Sequence, residues 1–249
     1  MRQPVYKEFT GWPEGYREWE KWALLSEQIG QYWDSLGQHG LAETTHRKAS
    51  LLSTAILGPE HPFTLTIMNN LAFVLHSQGK YNEAKMINQQ TLARYEKVLG
   101  TEHPFTLTSM NNLAGVLSSQ RKYKEAEEMN WQTLVLQEKV LGPKHPDTLT
   151  SMSNLAWVLS SQRKYKEAEV INRQTLSLRE MVLGPEHLDT LTSVYYLAHS
   201  LAEQHWIDEP LRLYQRASTG YKLILGERHP TTLACCQHYA DLSFSFCWD

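Results

Sequence analysis

The chain has 249 residues, 41% of them hydrophobic, 10% aromatic and 20% charged, which is the make-up of a folded protein and excludes a disordered or fibrous one. Lys and Arg total 24 against 27 Asp and Glu, so the net charge of -3 offers no general field for nucleic acid or an anionic membrane. No apolar run approaches the roughly 20 residues that cross a bilayer, so no membrane partner is expected.

In chain order, residues 1-17 carry Pro4, Gly11, Pro13 and Gly15 and read as an irregular lead-in that opens without an apolar signal core. Trp19, Trp22, Leu25, Ile29 and Trp33 then step along helical spacing, within a degenerate hairpin at 18-57, and are expected to cover the first repeat. From there the sequence repeats. Leu-Gly pairs stand at Leu57-Gly58, Leu99-Gly100, Leu141-Gly142, Leu183-Gly184 and Leu225-Gly226, each 42 residues after the last. His-Pro follows at His61-Pro62, His103-Pro104, His145-Pro146 and His229-Pro230, with His187-Leu188 as the lapse. Segments 103-144 and 145-186 agree at 32 of 42 positions, the mark of duplication.

A period near 42 fits propellers as well as helical arrays. The pattern inside the unit decides between them, because Met68, Leu71, Ala72 and Leu75, then Met110, Leu113, Ala114 and Leu117, fall at i, i+3, i+4 and i+7. Each unit reads as a hairpin, with a first helix near 62-78 and a second near 81-98 in the first clear copy. Gly58 is expected in the left-handed conformation closing the preceding helix, Pro62 in the first turn and His61 at the cap. Gly79 permits the turn within that hairpin. Arg121 and Arg163 replace it in the next two copies, whose turns are expected to adopt a conformation that tolerates a side chain. Four hairpins follow at 61-99, 103-141, 145-183 and 187-225. In the last of them Pro210 interrupts the pattern and Asp208 is expected to cap a helix starting late. A lone capping helix at 229-246 ends the array, with an apolar tail of Phe244, Phe246, Cys247 and Trp248.

These residues resemble the tetratricopeptide repeat family, which packs small residues of one helix against small residues of its partner. Here those positions hold Gly30, Ala42 and Ala49, then Ala72 and Ala84, Ala114 and Ala126, Ala156 and Ala168, and Ala198, with Thr91, Thr133 and Thr175 where alanine is usual. The 42-residue unit, its Leu-Gly-x-x-His-Pro-x-Thr-Leu linker, Asn-Leu-Ala core and Lys-Tyr-x-Glu-Ala second helix are similar to the kinesin light chain type, over about residues 20-246. That type is similar also to repeat regions of nephrocystin and of fungal signalling proteins, where a nucleotide-binding module accompanies the array; no Gly-x-x-x-x-Gly-Lys-Ser/Thr loop occurs here. The resemblance implies an all-α fold, a right-handed α-solenoid of antiparallel helix hairpins, with function on the concave face of the first helices.

A helical wheel places Thr66, Asn69, Asn70, Phe73, His76 and Ser77 opposite the apolar stripe. Carried along the period, the candidate groove holds Asn69, Asn70, Phe73, Asn111, Asn112, Ser153, Asn154, Trp157, Tyr195 and Tyr196. Amides recurring at 70, 112 and 154 can donate and accept together, which suits an extended peptide backbone, or they can bond to the adjacent helix and hold the array in shape. The aromatic residues supply anchors. Of the ten mismatches between the two closest units, only Asn111/Ser153 and Gly115/Trp157 fall on this face. Repeat domains of the family that grip acidic peptides do so with Lys and Arg there, and this face offers none. Basic residues gather instead at the hairpin turns, at Lys80, Arg121, Lys122, Lys124, Arg163, Lys164 and Lys166, followed by Glu83, Glu125 and Glu167 in a self-compensating edge.

Catalysis finds little support. The linker histidines are too far apart to share a ligand sphere, and Cys235, Cys236, His238, Cys247 and His229 lack the pair spacing of a zinc site. No cofactor or metal is expected. With three cysteines and no glycosylation sequon, a reduced, cytoplasmic setting is expected. The function indicated is a non-enzymatic module that binds a peptide segment or partner protein in its groove. The alternative is a structural or regulatory array, such as the sensor part of a larger signalling protein, that self-associates through Phe244, Phe246 and Trp248 at its apolar end.

Overall fold

The computed structural model describes residues 36-246 together with residues 25, 28-30, 32 and 33. From His39 onward ten helices follow one another: α1 (His39–Leu57), α2 (Pro62–Ser77), α3 (Tyr81–Leu99), α4 (Pro104–Ser119), α5 (Tyr123–Val140), α6 (Pro146–Ser161), α7 (Tyr165–Leu183), α8 (Leu188–Ala202), α9 (Asp208–Leu225) and α10 (Pro230–Phe246). Among the described residues there is no strand, and no helix is long and apolar enough to cross a membrane. The fold is all-α, and its helices pack as consecutive antiparallel hairpins of a tetratricopeptide-like solenoid.

The helices fall into two compact units, residues 1-101 and residues 102-249. In the first, α1 packs on α2 and α2 on α3; in the second, every helix packs on the next from α4 to α10. Within the second unit the first helices of successive hairpins also meet, α4 with α6 and α6 with α8, while the second helices do not approach to the same degree. The first helices therefore line the inner side of that unit.

The linker motif makes each helix start. At His61, His103, His145, His187 and His229 the imidazole Nδ1 accepts from the backbone N–H two residues on, 3.2 Å away in every case, satisfying one of the donors a helix start leaves open. Proline sits in the first turn at 62, 104 and 146, where a missing N–H costs nothing. Leu188 takes that place in α8 and the cap alone suffices.

Both turn expectations need correction. Gly58, Gly100, Gly184 and Gly226 do have φ near +90°, but with ψ of 161° to 166° they are extended rather than left-handed helical. That region is open essentially to glycine alone, which is why Leu-Gly recurs without exception. At the turn inside each hairpin, Gly79, Arg121, Arg163 and His205 share one positive φ, at 77°, 60°, 62° and 65°. The turns do not change shape for the side chain. Each is closed by a pair of backbone bonds, as in Lys122 N–H to Leu117 (2.9 Å) and Arg121 N–H to Ser118 (2.8 Å), and that Schellman closure holds the arginines in place.

Each first helix is buried more widely than its predicted stripe. Alongside Leu71, Ala72 and Leu75, the residues Leu65, Ile67 and Val74 are also sealed, because α2 is packed by the second helix of its own hairpin and by α1. Met68 itself is only half-buried. The small positions are closed as expected: Ala72, Ala84, Ala126, Ala168 and Ala198 have no exposure, and a side chain at Gly30 would strike the ring of His46. Thr91, Thr133 and Thr175 fit at alanine positions because each hydroxyl, fully buried, bonds to the carbonyl four residues back at 2.7 to 2.8 Å.

Asp208 does not cap α9. Ile207 occupies that place without a side-chain hydrogen bond, and Asp208 and Glu209 lie in the first turn, where their charge complements the helix dipole. At the start of the array, Leu25 and Ile29 are exposed and Trp33 is half-buried; Trp19 and Trp22 lie outside the described residues. Phe244 is exposed, whereas the side chain of Phe246 and all of Cys247 and Trp248 also lie outside them.

Candidate functional site

In the first unit, Asn69 is buried, Asn70 half-buried and Phe73 exposed on α2. The second unit holds the rest of the predicted groove and divides it into two kinds of residue.

Asn111 belongs to the wall. Its amide donates to Ser151 Oγ on α6 at 2.6 Å, and that hydroxyl also stands 2.5 Å from Gln137 Oε1 of α5. One buried serine thus ties three helices together. One period later, Ser153 stands where Asn111 stood and Arg179 where Gln137 stood. Arg179 of α7 is 5% exposed and donates to Ser193 Oγ (2.9 Å) and to the carbonyls of Asp189 (2.8 Å) and Leu149 (3.4 Å). Among the described residues no carboxylate lies within ion-pair distance of it, and burial lowers its pKa while leaving the guanidinium charged. Among the described residues no Lys or Arg of a first helix lies on the inner face, but a second helix inserts a cation beneath it.

Asn112 and Asn154 form the other kind. Both are half-buried on the inner side, and among the described residues neither side chain has a hydrogen bond within the protein. A separate set of asparagines, Asn88, Asn130 and Asn172 on the second helices, is 1% to 2% exposed. Asn172 shows the role: its amide donates to Ser200 Oγ at 2.9 Å and to the Tyr196 carbonyl at 3.3 Å. At Asn172 the structural amide therefore sits on a second helix, while the amides of Asn112 and Asn154 stay available. The threonines of the face are not available in the same way, since Thr108 and Thr150 bond back to the carbonyls of Pro104 and Pro146.

Toward α10 the face becomes aromatic. Trp157, 46% exposed, lies 5.8 Å from the Tyr196 ring, which lies 5.7 Å from Tyr195. The Tyr195 ring stacks on His238 of α10 with 6° between planes, and its hydroxyl shares a 2.9 Å hydrogen bond with His238 Nδ1. Burial pushes the Tyr195 phenol up to about 12, so it keeps its proton, while burial and the nearby His199 hold His238 below the usual imidazole range. Tyr214 of α9 completes the cluster, 5.9 Å from Tyr195 and 6.0 Å from His238. The structure brings Trp157, Tyr195 and Tyr196 together and adds His199, Tyr214 and His238. His238 had a signal: it stands 42 residues after Tyr196, in the register of Asn112 and Asn154.

The hairpin turns pair within a hairpin at Lys122 and Glu125, 3.9 Å apart, and also across hairpins. Lys80 Nζ meets Glu43 at 2.7 Å and Lys164 Nζ meets Glu127 at 2.8 Å, each carboxylate belonging to the preceding second helix. The Lys80 ammonium, with Arg47 and against a burial effect, holds the Glu43 carboxyl down at about 2. Among the described residues no three His, Cys, Asp or Glu converge as metal ligands. A 680 Å³ cleft on the outer side lies where Gly220 lets Leu191 close in, with the Glu180–Arg216 ion pair at its edge.

Models of the tetratricopeptide repeat match residues 25-97 and 65-134, and another of the same description matches residues 148-189, together more than half of the chain. No curated protein matches the sequence. Among solved structures, the chain is similar to the nearly identical TPR-like repeats of a Podosopora anserina putative kinesin light chain, at 24% identity and a TM-score of 0.67 over 86% of this chain and 98% of that one. It is similar to BtubC (BKLC) from P. vanneervenii at 19% identity and a TM-score of 0.70, over 87% of each chain. It is also similar to Bacillus thuringiensis PlcR in complex with the peptide PapR7 and DNA, at 13% identity and a TM-score of 0.65, over 88% of this chain and 73% of that one. Such identities speak for the fold.

Proposed function

The chain belongs to the tetratricopeptide repeat family, with repeats consistent with the kinesin light chain type, and from that premise we propose that it is a non-catalytic module holding an extended segment of a partner protein on its inner face. The observation that carries the reading is the pair of unbonded, half-buried amides at Asn112 and Asn154. They stand one per hairpin and lead toward the exposed ring of Trp157. A peptide backbone needs a donor and an acceptor at intervals, and an asparagine amide supplies both. An exposed indole packed on Tyr196 is a preformed anchor for an apolar side chain. PlcR, a structure of similar fold, is in complex with a peptide, which agrees with this use of the fold.

The test is partner capture by crosslinking from the source cells with the wild-type chain and with Asn112→Ala, Asn154→Ala and Trp157→Ala combined. The groove reading expects the variant to lose the partner while keeping its helix content. Unchanged capture by the variant, with capture abolished on trimming residues 244-249, would refute it.

A second reading has one observation in its favour. Leu65, Leu107, Leu149 and Leu191 are at most 2% exposed, whereas Leu233, at the same register of α10, is 56% exposed. Self-association through α10 would cover it. Sedimentation of the wild type and of Leu233→Gln decides: this reading requires an oligomer that the substitution dissolves.

A further inference from the structure

The last hairpin departs from its predecessors at the positions that face the groove. Where earlier copies have Asn112 and Asn154, it has Tyr196 and then His238; where they have Gly115 and Trp157, it has His199 and then Asp241. Ser119 and Ser161 give way to Glu203, and the buried Asn130 and Asn172 to Tyr214. These replacements surround a hollow of 270 Å³ lined by His199, Glu203, Tyr214, His238 and Asp241, with Ala202 and Leu242 as its apolar wall. It is too small for most whole ligands and of a size for one side chain.

From this lining we infer that the hollow is a subsite for a basic side chain, lysine or arginine, of the segment bound in the groove. Its two carboxylates come from different elements, Glu203 from the C-cap of α8 and Asp241 from α10, and no Lys or Arg lines it. The lining rings offer faces: His199 and His238 are 5.7 Å apart and tilted by 55°, and the Tyr214 ring lies 6.0 Å from His238. A cation entering there meets carboxylate oxygens at the rim and aromatic faces below, a combination that stabilises ammonium and guanidinium groups. The Tyr195 hydroxyl, bonded to His238 Nδ1, fixes the ring that forms one wall. An acidic side chain would face two like charges, and a neutral aliphatic one would bring no charge to complement them.

The inference rests on the groove reading, but its test uses a probe that needs no peptide. N-acetyl-arginine methylamide, N-acetyl-lysine methylamide and the neutral N-acetyl-norleucine methylamide are titrated into the full chain at pH 7.5, with the His199 and His238 ring signals followed by NMR. The basic probes should shift both signals saturably and the norleucine probe should not. Glu203→Gln with Asp241→Asn, which preserves shape, should weaken the basic probes at least tenfold with circular dichroism unchanged. The inference is overturned by equal binding of the norleucine probe, by full affinity in the double variant, or by no saturable shift with either basic probe. If the basic probes bind while Asn112→Ala, Asn154→Ala and Trp157→Ala leave partner capture intact, the groove reading fails and the subsite stands.

Discussion

Exchanging the pair Ser153 and Arg179 for the pair found one repeat earlier, Asn and Gln, tests the account of the groove floor most directly. Ser153 is 8% exposed and its hydroxyl donates to the Leu149 carbonyl at 3.1 Å, the same oxygen that Arg179 reaches at 3.4 Å. Ser153→Asn alone adds two heavy atoms where the guanidinium already sits, an overpacking worth about 2 kcal/mol. Arg179→Gln alone removes up to three hydrogen bonds to neutral acceptors but also relieves the burial of an unpaired charge. Ser193 keeps its bond to the Asp189 carbonyl at 3.3 Å, so the net loss is about 1 to 2 kcal/mol. Made together, the substitutions recreate the bridge seen among Asn111, Ser151 and Gln137, with Ser193 as the shared hydroxyl. The double variant should then lose about 1 kcal/mol or less, against a sum of about 3 to 4 for the single changes, a coupling of at least about 2 kcal/mol. Urea unfolding of the four chains, followed by circular dichroism under one set of conditions, measures it. Additivity within about 0.5 kcal/mol would refute the claim that these two positions share one space.

Asn112→Ala and Asn154→Ala should each change stability by no more than about 0.5 kcal/mol, whereas Asn172→Ala, which strips the partners of Ser200 and Tyr196, should cost about 1 to 3 kcal/mol in the same unfolding assay. Arg121→Gly or Arg163→Gly should raise the thermal midpoint, each removing about 1 kcal/mol of positive-φ strain, while Gly184→Ala should lower it, costing about 1 to 3 kcal/mol of stability because of its extended positive-φ backbone. Burial holds His61, His76 and His238 below the ordinary imidazole value, so the unfolded chain binds more protons than the folded one near pH 6. The stability they contribute is complete above about 6.5 and is lost as the pH falls through and below that value; His61→Asn, which keeps an acceptor at the cap of α2, should flatten the acid slope of unfolding in pH-stepped denaturant titrations.

Much of the fold was legible because the 42-residue period multiplies every weak local signal by the number of copies. A single His-Pro proves little, but His61, His103, His145 and His229 at one spacing announce a cap, and His187 shows that the cap outlasts the proline. Conformational detail was not legible where residue type underdetermines it. Glycine at 58 fits left-handed and extended positive-φ backbone alike, and an arginine at 121 gives no sign that the surrounding Schellman bonds will force it to φ 60°.

The candidate site divides along the same line. Surface exposure of a first-helix residue depends chiefly on its angle around its own axis, and the wheel therefore placed Phe73 and Trp157 correctly on an open face. What the wheel cannot represent is reach from another helix. Asn111 and Asn112 are adjacent on it, yet Ser151 of the next hairpin captures the first and leaves the second open. Arg179 enters the floor from a second helix whose own wheel turns it toward the core, and a long side chain then carries its charge to the carbonyls of two first helices. His238 was the reverse case, a residue fully within reach of the period. Extending the count of 42 one step past Tyr196 makes α10 the first helix of a further hairpin in register, and so makes its inner face part of the floor.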